Sequence, residues 1–95
     1  MNVGSLRVRL LLRQSRTLKD KRQVVQGIKD KLRNAFNISI AEVDARDHRQ
    51  LAVLGIAAVG AAHADVQPVL QQVAAALRRH PAAEFVDADF DPTPP

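Results

Sequence analysis

The sequence contains no cysteine, tryptophan or tyrosine, and only three phenylalanines among its 95 residues. The absence of cysteine excludes disulfide bonds, thiol catalysis, iron–sulfur clusters and cysteine-based zinc sites. So few aromatic side chains argue against recognition of nucleobases by stacking. No apolar run approaches the roughly 20 residues needed to cross a bilayer. We therefore expect no membrane partner and a cytoplasmic location.

The known catalytic motifs are missing as well. The segment that joins the first two predicted elements, residues 14–17, contains no glycine, whereas a phosphate-cradling loop of the acylphosphatase type would need glycines there. No Walker motif, nucleophile elbow or HExxH motif occurs. We therefore expect a protein that is not an enzyme, with no cofactor and no small-molecule substrate.

Charge is distributed unevenly along the chain. Residues 1–36 carry ten basic and two acidic side chains, whereas the remaining residues balance to −4, giving a net charge of +4. Four of the acidic residues fall within 84–91. This polarity predicts either a basic surface for a polyanion or an internal match between a basic and an acidic element.

Hydrophobic periodicity divides the chain into six elements. Alternation of apolar and polar residues predicts strands, and apolar residues at intervals of three and four predict helices. Thr17 is a candidate N-cap, with Asp20 three positions later favouring the helix start. The predicted order is strand 3–13, helix 17–36, strand 38–45, strand 51–59, helix 64–79 and strand 84–90.

The order βαββαβ predicts an α+β protein with the ferredoxin-like sandwich arrangement. In that arrangement the sheet order is 4-1-3-2, all neighbours are antiparallel, and both helices lie on one face. Arg7 and Arg9 on the first strand would then face Asp87 and Asp89 on the last. We expect one domain over residues 1–91 and a flexible proline-rich tail over residues 92–95.

The first predicted helix carries a basic ridge on the side away from its apolar residues. The ridge consists of Lys19, Arg22, Lys29 and Arg33. A straight ridge about 15 Å long suits a phosphate backbone better than one small anion. Lys21 differs from the others because its helical angle places it near the middle of the apolar arc. The alternative interpretation is a solvated basic face without a ligand. The candidate phosphate-binding residues are Arg13, Arg16, Lys19, Lys21, Arg22, Lys29 and Arg33.

Two further features each allow a functional and a structural interpretation. Glu42, Asp44, Asp47 and His48 form a polar cluster that could bind a metal or act in acid–base catalysis. Glu42 and Asp44 are expected on one exposed strand face, which favours a structural role and no metal site. The third strand, 51–59, is apolar on both faces, which favours a homodimer that covers its second face.

Three segments resemble the YlxP-like family of small bacterial proteins, a family of unknown function. They are residues 15–25, residues 36–44 and residues 52–57, and the resemblance extends from Val3 to about Phe90. It implies a ferredoxin-like fold and a bacterial cytoplasmic protein. Genes of the family tend to lie among those for translation and ribosome maturation, which is a hint at RNA and not a mechanism. It supplies no active site. Family members often carry an aromatic residue near the position of His48, and this chain does not.

Two hypotheses follow from these observations. The first is a non-catalytic protein that associates with RNA or the ribosome through the basic ridge on the first helix. The second is a homodimeric structural or regulatory module that binds other proteins and no nucleic acid.

Overall fold

The computed structural model describes residues 1–93 and shows an α+β protein. The elements predicted from hydrophobic periodicity agree with the observed ones to within two residues at each end. Their order along the chain is β1 (Asn2–Leu11), α1 (Leu18–Ala35), β2 (Ser39–Asp44), β3 (Leu51–Gly60), α2 (His63–Arg78) and β4 (Glu84–Asp91).

The four strands form one antiparallel sheet in the order β2-β3-β1-β4. This confirms the predicted order, which is the same one read from the opposite edge. The element order is also the βαββαβ order of ferredoxin-like proteins. The sheet leaves β2 and β4 as its two edges, and the apolar β3 is central, as its sequence indicates.

A single hydrophobic core lies between the sheet and the two helices. Leu6, Val8 and Leu10 of β1 are no more than 1% exposed. They belong to the same cluster as Ile28 of α1 and Leu70 of α2. Both helices therefore cover one face of the sheet, and the other face, which we call the open face, carries the odd-numbered residues of β1.

Ion pairs tie the strands together on the open face. Arg9 makes a bidentate pair with Asp87, which lies opposite it in the register, as predicted. Hydrogen bonding and the charge of Arg9 hold the pKa of Asp87 below its usual range. Arg7 faces Asp89 in the register but bonds instead to Asp44 of β2, at 2.8 Å, across Gly55 of β3.

A β-bulge in β2 overturns one expectation from the sequence. Glu42 pairs with Leu54, but Asp44 pairs with Val53, so Val43 is an extra residue in the strand. Since an extra residue shifts the alternation by one, Glu42 and Asp44 lie on opposite sides of the sheet rather than on one exposed face.

The predicted tail begins beyond β4. The carbonyl of Pro92 accepts a hydrogen bond from Gln67 Nε2, at 3.2 Å. The rest of the predicted tail includes residues 94 and 95, which lie outside the described residues. Over residues 1–93, neither helix is both long enough and apolar enough to cross a membrane.

Two glycines should respond in opposite ways to alanine. A Cβ on Gly27 would meet nothing within 4 Å, so Gly27→Ala should stabilise the protein by about 0.5–1 kcal/mol through helix propensity. A Cβ on Gly4 would lie 2.7 Å from Val66 Cγ1, so Gly4→Ala should destabilise it by about 1–3 kcal/mol through overpacking. Urea denaturation of both variants tests the packing of α2 on β1, and equal effects would contradict it.

Candidate nucleic-acid interface

The predicted basic ridge on α1 is largely exposed. Lys19 and Arg22 are exposed and Lys29 is partly buried. Within residues 1–93, none of these three side chains forms an ion pair with a carboxylate, and the same holds for Arg16 at the start of the helix. Four of the seven predicted residues therefore keep their charge available to a ligand.

Arg33 ends the ridge against the edge of the sheet. Its Nη2 donates a hydrogen bond to the carbonyl of Ile40 on β2, at 3.1 Å, and its Nη1 lies 3.9 Å from Asp30 Oδ1. β2 is an edge strand, so this contact places the ridge side of α1 along the free edge of the sheet. The charge of Arg33 is partly satisfied within the protein.

Arg13 lies apart from the ridge. Its guanidinium pairs with Glu84 of β4, and this pairing holds the pKa of Glu84 below its usual range. The contact draws Arg13 toward the β4 side of the sheet, whereas the ridge borders β2. Arg13 is therefore neutralised within the protein by Glu84 and does not belong to the ridge.

Lys21 is buried, which explains its unusual position in the apolar arc of the helix. Its side chain is 1% exposed, and its Nζ donates a hydrogen bond to the carbonyl of Ala45 at 2.7 Å. Nζ also forms an ion pair with Glu42 Oε2, at 2.7 Å. Lys21 holds a loop inside the protein and does not present its ammonium to solvent.

The loop that Lys21 holds turns sharply at Ala45. This residue has φ 53°, a left-handed conformation that costs a non-glycine residue about 1–2 kcal/mol. The Ala45 amide donates to Asp44 Oδ1 at 2.7 Å, and its carbonyl accepts from the His48 amide at 3.0 Å as well as from Lys21. These bonds direct the β2–β3 loop back toward the N-terminal end of α1.

The turn brings two arginines to the ridge that the sequence analysis did not include. Arg46 lines a cavity of about 490 Å³ together with Arg22, Lys21 and Glu42. Arg49 lines a second cavity of about 510 Å³ together with Arg16. Both arginines are exposed, and neither pairs with a carboxylate in the part of the chain that the structure describes. Only the buried position of Lys21 hinted that this loop approaches the helix.

These residues together form what we call the cationic surface. It covers the outer side of α1 from Lys19 to Lys29, the adjoining edge of β2 and the β2–β3 loop. Asp47 and Glu42 also border it, but Glu42 is neutralised by Lys21. The members of the cationic surface are Arg16, Lys19, Arg22, Lys29, Arg46 and Arg49.

The N-terminus of α1 is already capped. Thr17 Oγ1 accepts from the Asp20 amide at 3.0 Å, and Asp20 Oδ2 accepts from the amides of Thr17 and Arg16. This confirms the predicted N-cap and adds a negative charge at that end. The side chains of the cationic surface, rather than free amides, are therefore the groups that can bind an anion.

The polar cluster of the sequence does not converge on one point. Glu42 faces Lys21, Asp44 faces Arg7 across the sheet, and His48 Nδ1 accepts hydrogen bonds from the amides of Gln50 and Leu51, each at 3.1 Å. No three histidine, aspartate or glutamate side chains in residues 1–93 come together as metal ligands.

By its fold and surface, the chain is a small α+β protein of βαββαβ order. The six basic side chains of the cationic surface, beside the β2 edge of the sheet, form no ion pairs within residues 1–93. A family model described as "Protein of unknown function (DUF503)" matches residues 3–90. The chain is also 32% identical over 82 residues to the "Uncharacterized protein YlxP" of Bacillus subtilis (strain 168), covering 86% of this chain and 89% of that protein. The chain belongs to the DUF503 family, which confirms the YlxP-like resemblance.

Removal of the Lys21 charge should destabilise the protein. Lys21→Met keeps the length of the side chain but leaves the Glu42 carboxylate and the Ala45 carbonyl without a partner. Because Glu42 is 18% exposed, we expect a loss of about 2–4 kcal/mol in the free energy of unfolding, below the full cost for a completely buried pair. Chemical denaturation measures this loss.

Lys19→Met provides the matched control, since Lys19 is exposed and lies two residues away on the same helix. It should change the free energy of unfolding by no more than about 0.5 kcal/mol. Adding Glu42→Gln to Lys21→Met should recover part of the loss. Equal effects of the two lysine substitutions would contradict the role of Lys21.

Proposed function

We propose that this protein is a non-catalytic RNA-binding or ribosome-associated protein that holds a phosphate backbone on the cationic surface. In this proposal the ferredoxin-like scaffold presents α1 and the β2–β3 loop to the ligand, and the protein works in the bacterial cytoplasm. Arg33 sits at the far end of the surface, and Lys21 acts indirectly by fixing the loop.

The observation that carries the proposal is that basic residues are paired with carboxylates on one side of the molecule and unpaired on the other. On the open-face side, Arg7, Arg9 and Arg13 each pair with a carboxylate. The six members of the cationic surface have no such partner among residues 1–93. Unpaired like charges repel one another within the folded protein, and a polyanion would relieve that repulsion.

The shape of the surface supports a chain of phosphates rather than a single anion. Lys19 and Lys29 are ten residues apart on α1, which corresponds to about 15 Å along the helix axis. Arg46 and Arg49 extend the surface beyond the helix start. Several lysines and arginines in a row can contact successive phosphates of one strand and release their counterions.

Charge reversal on the ridge tests the proposal. Affinity for a single-stranded RNA should fall with salt at a slope near −0.7 for each phosphate contacted. Arg22→Glu with Lys29→Glu should weaken binding at least tenfold at low salt and reduce the slope by about 1.4. Fluorescence anisotropy over a salt series gives both quantities.

Lys31→Glu with Arg79→Glu is the matched control because it makes the same change in net charge at exposed residues away from the ridge. Lys31 lies near His80, whose pKa is lowered by burial and by the Lys31 charge. The control should bind nearly as wild type does, apart from the effect of net charge. Equal losses in the two double variants, with both still folded by circular dichroism, would refute a localised surface.

The open face favours a homodimer as the second candidate function. Val3 and Val59 are partners in the register and are 60% and 56% exposed. A shallow groove of about 360 Å³ lies beside them, lined in part by Ala41, Val43 and Ala57. A second copy of the chain could cover this apolar strip, because small side chains allow two sheets to approach closely.

Val59→Arg tests the dimer. If the open face associates, light scattering at micromolar concentration should give a dimer mass for wild type and a monomer mass for Val59→Arg. Val86→Arg, at an exposed position on edge strand β4, should leave the dimer intact. A monomer mass for wild type would eliminate this candidate without affecting RNA binding.

A further inference from the structure

The cavity between the β1–α1 loop and the β2–β3 loop differs from the rest of the cationic surface. It is an open depression of about 510 Å³, and Arg16 and Arg49 contribute the positive charge. A volume of this size falls in the range of small-molecule and cofactor sites, so one nucleotide fits. The full lining is Ser15, Arg16, Asp47, His48, Arg49 and Gln50.

Hydrogen bonds join the two loops and hold the walls of this cavity in place. Gln50 Nε2 donates to the carbonyls of Arg13 and Ser15, each at 3.2 Å, and the carbonyl of Gln50 accepts from the Leu12 amide at 2.7 Å. Ser15 is itself buried. A cavity with fixed walls loses little conformational entropy when a ligand binds.

The imidazole of His48 is oriented by the same loop. Its Nδ1 accepts from two backbone amides, at 3.1 Å each, so in the neutral ring the hydrogen lies on Nε2. The residue is exposed at the cavity wall. Imidazole and guanidinium planes stack on unpaired bases in RNA complexes, as aromatic rings do.

Asp47 is the feature that a phosphate site alone does not explain. Its carboxylate pairs with no cation in the described part of the chain, although Arg22 and Arg46 line one of the two cavities that it borders. A carboxylate repels phosphates but accepts hydrogen bonds from the edge of a base. Guanine offers two adjacent donors, N1–H and N2–H, whereas uracil offers one imino N–H.

We propose that this cavity holds one unpaired guanine of the bound RNA, stacked near His48 and recognised by the carboxylate of Asp47. The inference rests on the proposed function, because Arg16 and Arg22 would hold the flanking phosphates. It adds base selection to a surface that otherwise binds any single strand.

Oligonucleotides that differ at one base test this inference. Anisotropy would compare the affinity for a 12-residue oligouridylate with that for the same strand carrying one central guanine or one central inosine. Wild type should bind the guanine strand about tenfold more tightly than the uridine strand, and the inosine strand at an intermediate affinity, because inosine lacks the N2 amino group. Asp47→Asn should remove the preference for guanine while leaving oligouridylate binding equal or stronger.

Asp89→Asn is the matched control, since Asp89 is an exposed aspartate on β4 without an ion pair in residues 1–93, and the substitution changes net charge equally. It should keep the preference for guanine. Equal affinity of wild type for all three strands, or an unchanged preference in Asp47→Asn, would overturn guanine recognition and leave the backbone proposal standing. Failure of wild type to bind any strand would overturn both.

Discussion

The ammonium of Lys21 lies inside the protein, between the start of α1 and the end of β2, and three structural features depend on it. It neutralises Glu42, it accounts for the turn at Ala45, and through that turn it sets the position of the β2–β3 loop. A buried ammonium is costly unless its partners are well placed, so the loop has few alternative positions. Together with the hydrogen bonds at Ala45 and Gln50, this contact places Arg46 and Arg49 beside the helix.

Electrostatics separates the two sides of the sheet. On the open face, arginines of β1 form ion pairs with carboxylates of β2 and β4, so their charges largely cancel. Around α1 and the β2–β3 loop, six basic side chains form no ion pair within residues 1–93, although the carboxylates of Asp20 and Asp47 border the same surface. The net charge of +4 therefore understates the local field, because four of the ten acidic residues lie on β4, at the edge of the sheet opposite β2.

Much of the fold could be predicted from the sequence because hydrophobic alternation and the rule of short connections act locally. The sheet order, the N-cap at Thr17 and the pairing of Arg9 with Asp87 all follow from such rules. The candidate site was less accessible. Periodicity predicts which face of α1 carries Lys19 and Arg22, but the approach of Arg46 and Arg49 depends on a turn with positive φ at an alanine, which has no signal in composition. The partner of Arg7 was also hidden, since the bulge at Val43 decides which way Asp44 points.

That bulge has a consequence for how the two sides of the protein can change over time. By altering the parity of an edge strand, one inserted valine lets Glu42 and Asp44, two residues apart, serve opposite surfaces without competing for the same cation. A homologue without the extra residue would have both carboxylates on one side of the sheet. Either Arg7 on the open face or Lys21 under the helices would then lack its partner. The ion pairs of Arg7 and Lys21 therefore both depend on the bulge at Val43, although the two basic residues are not in contact with each other.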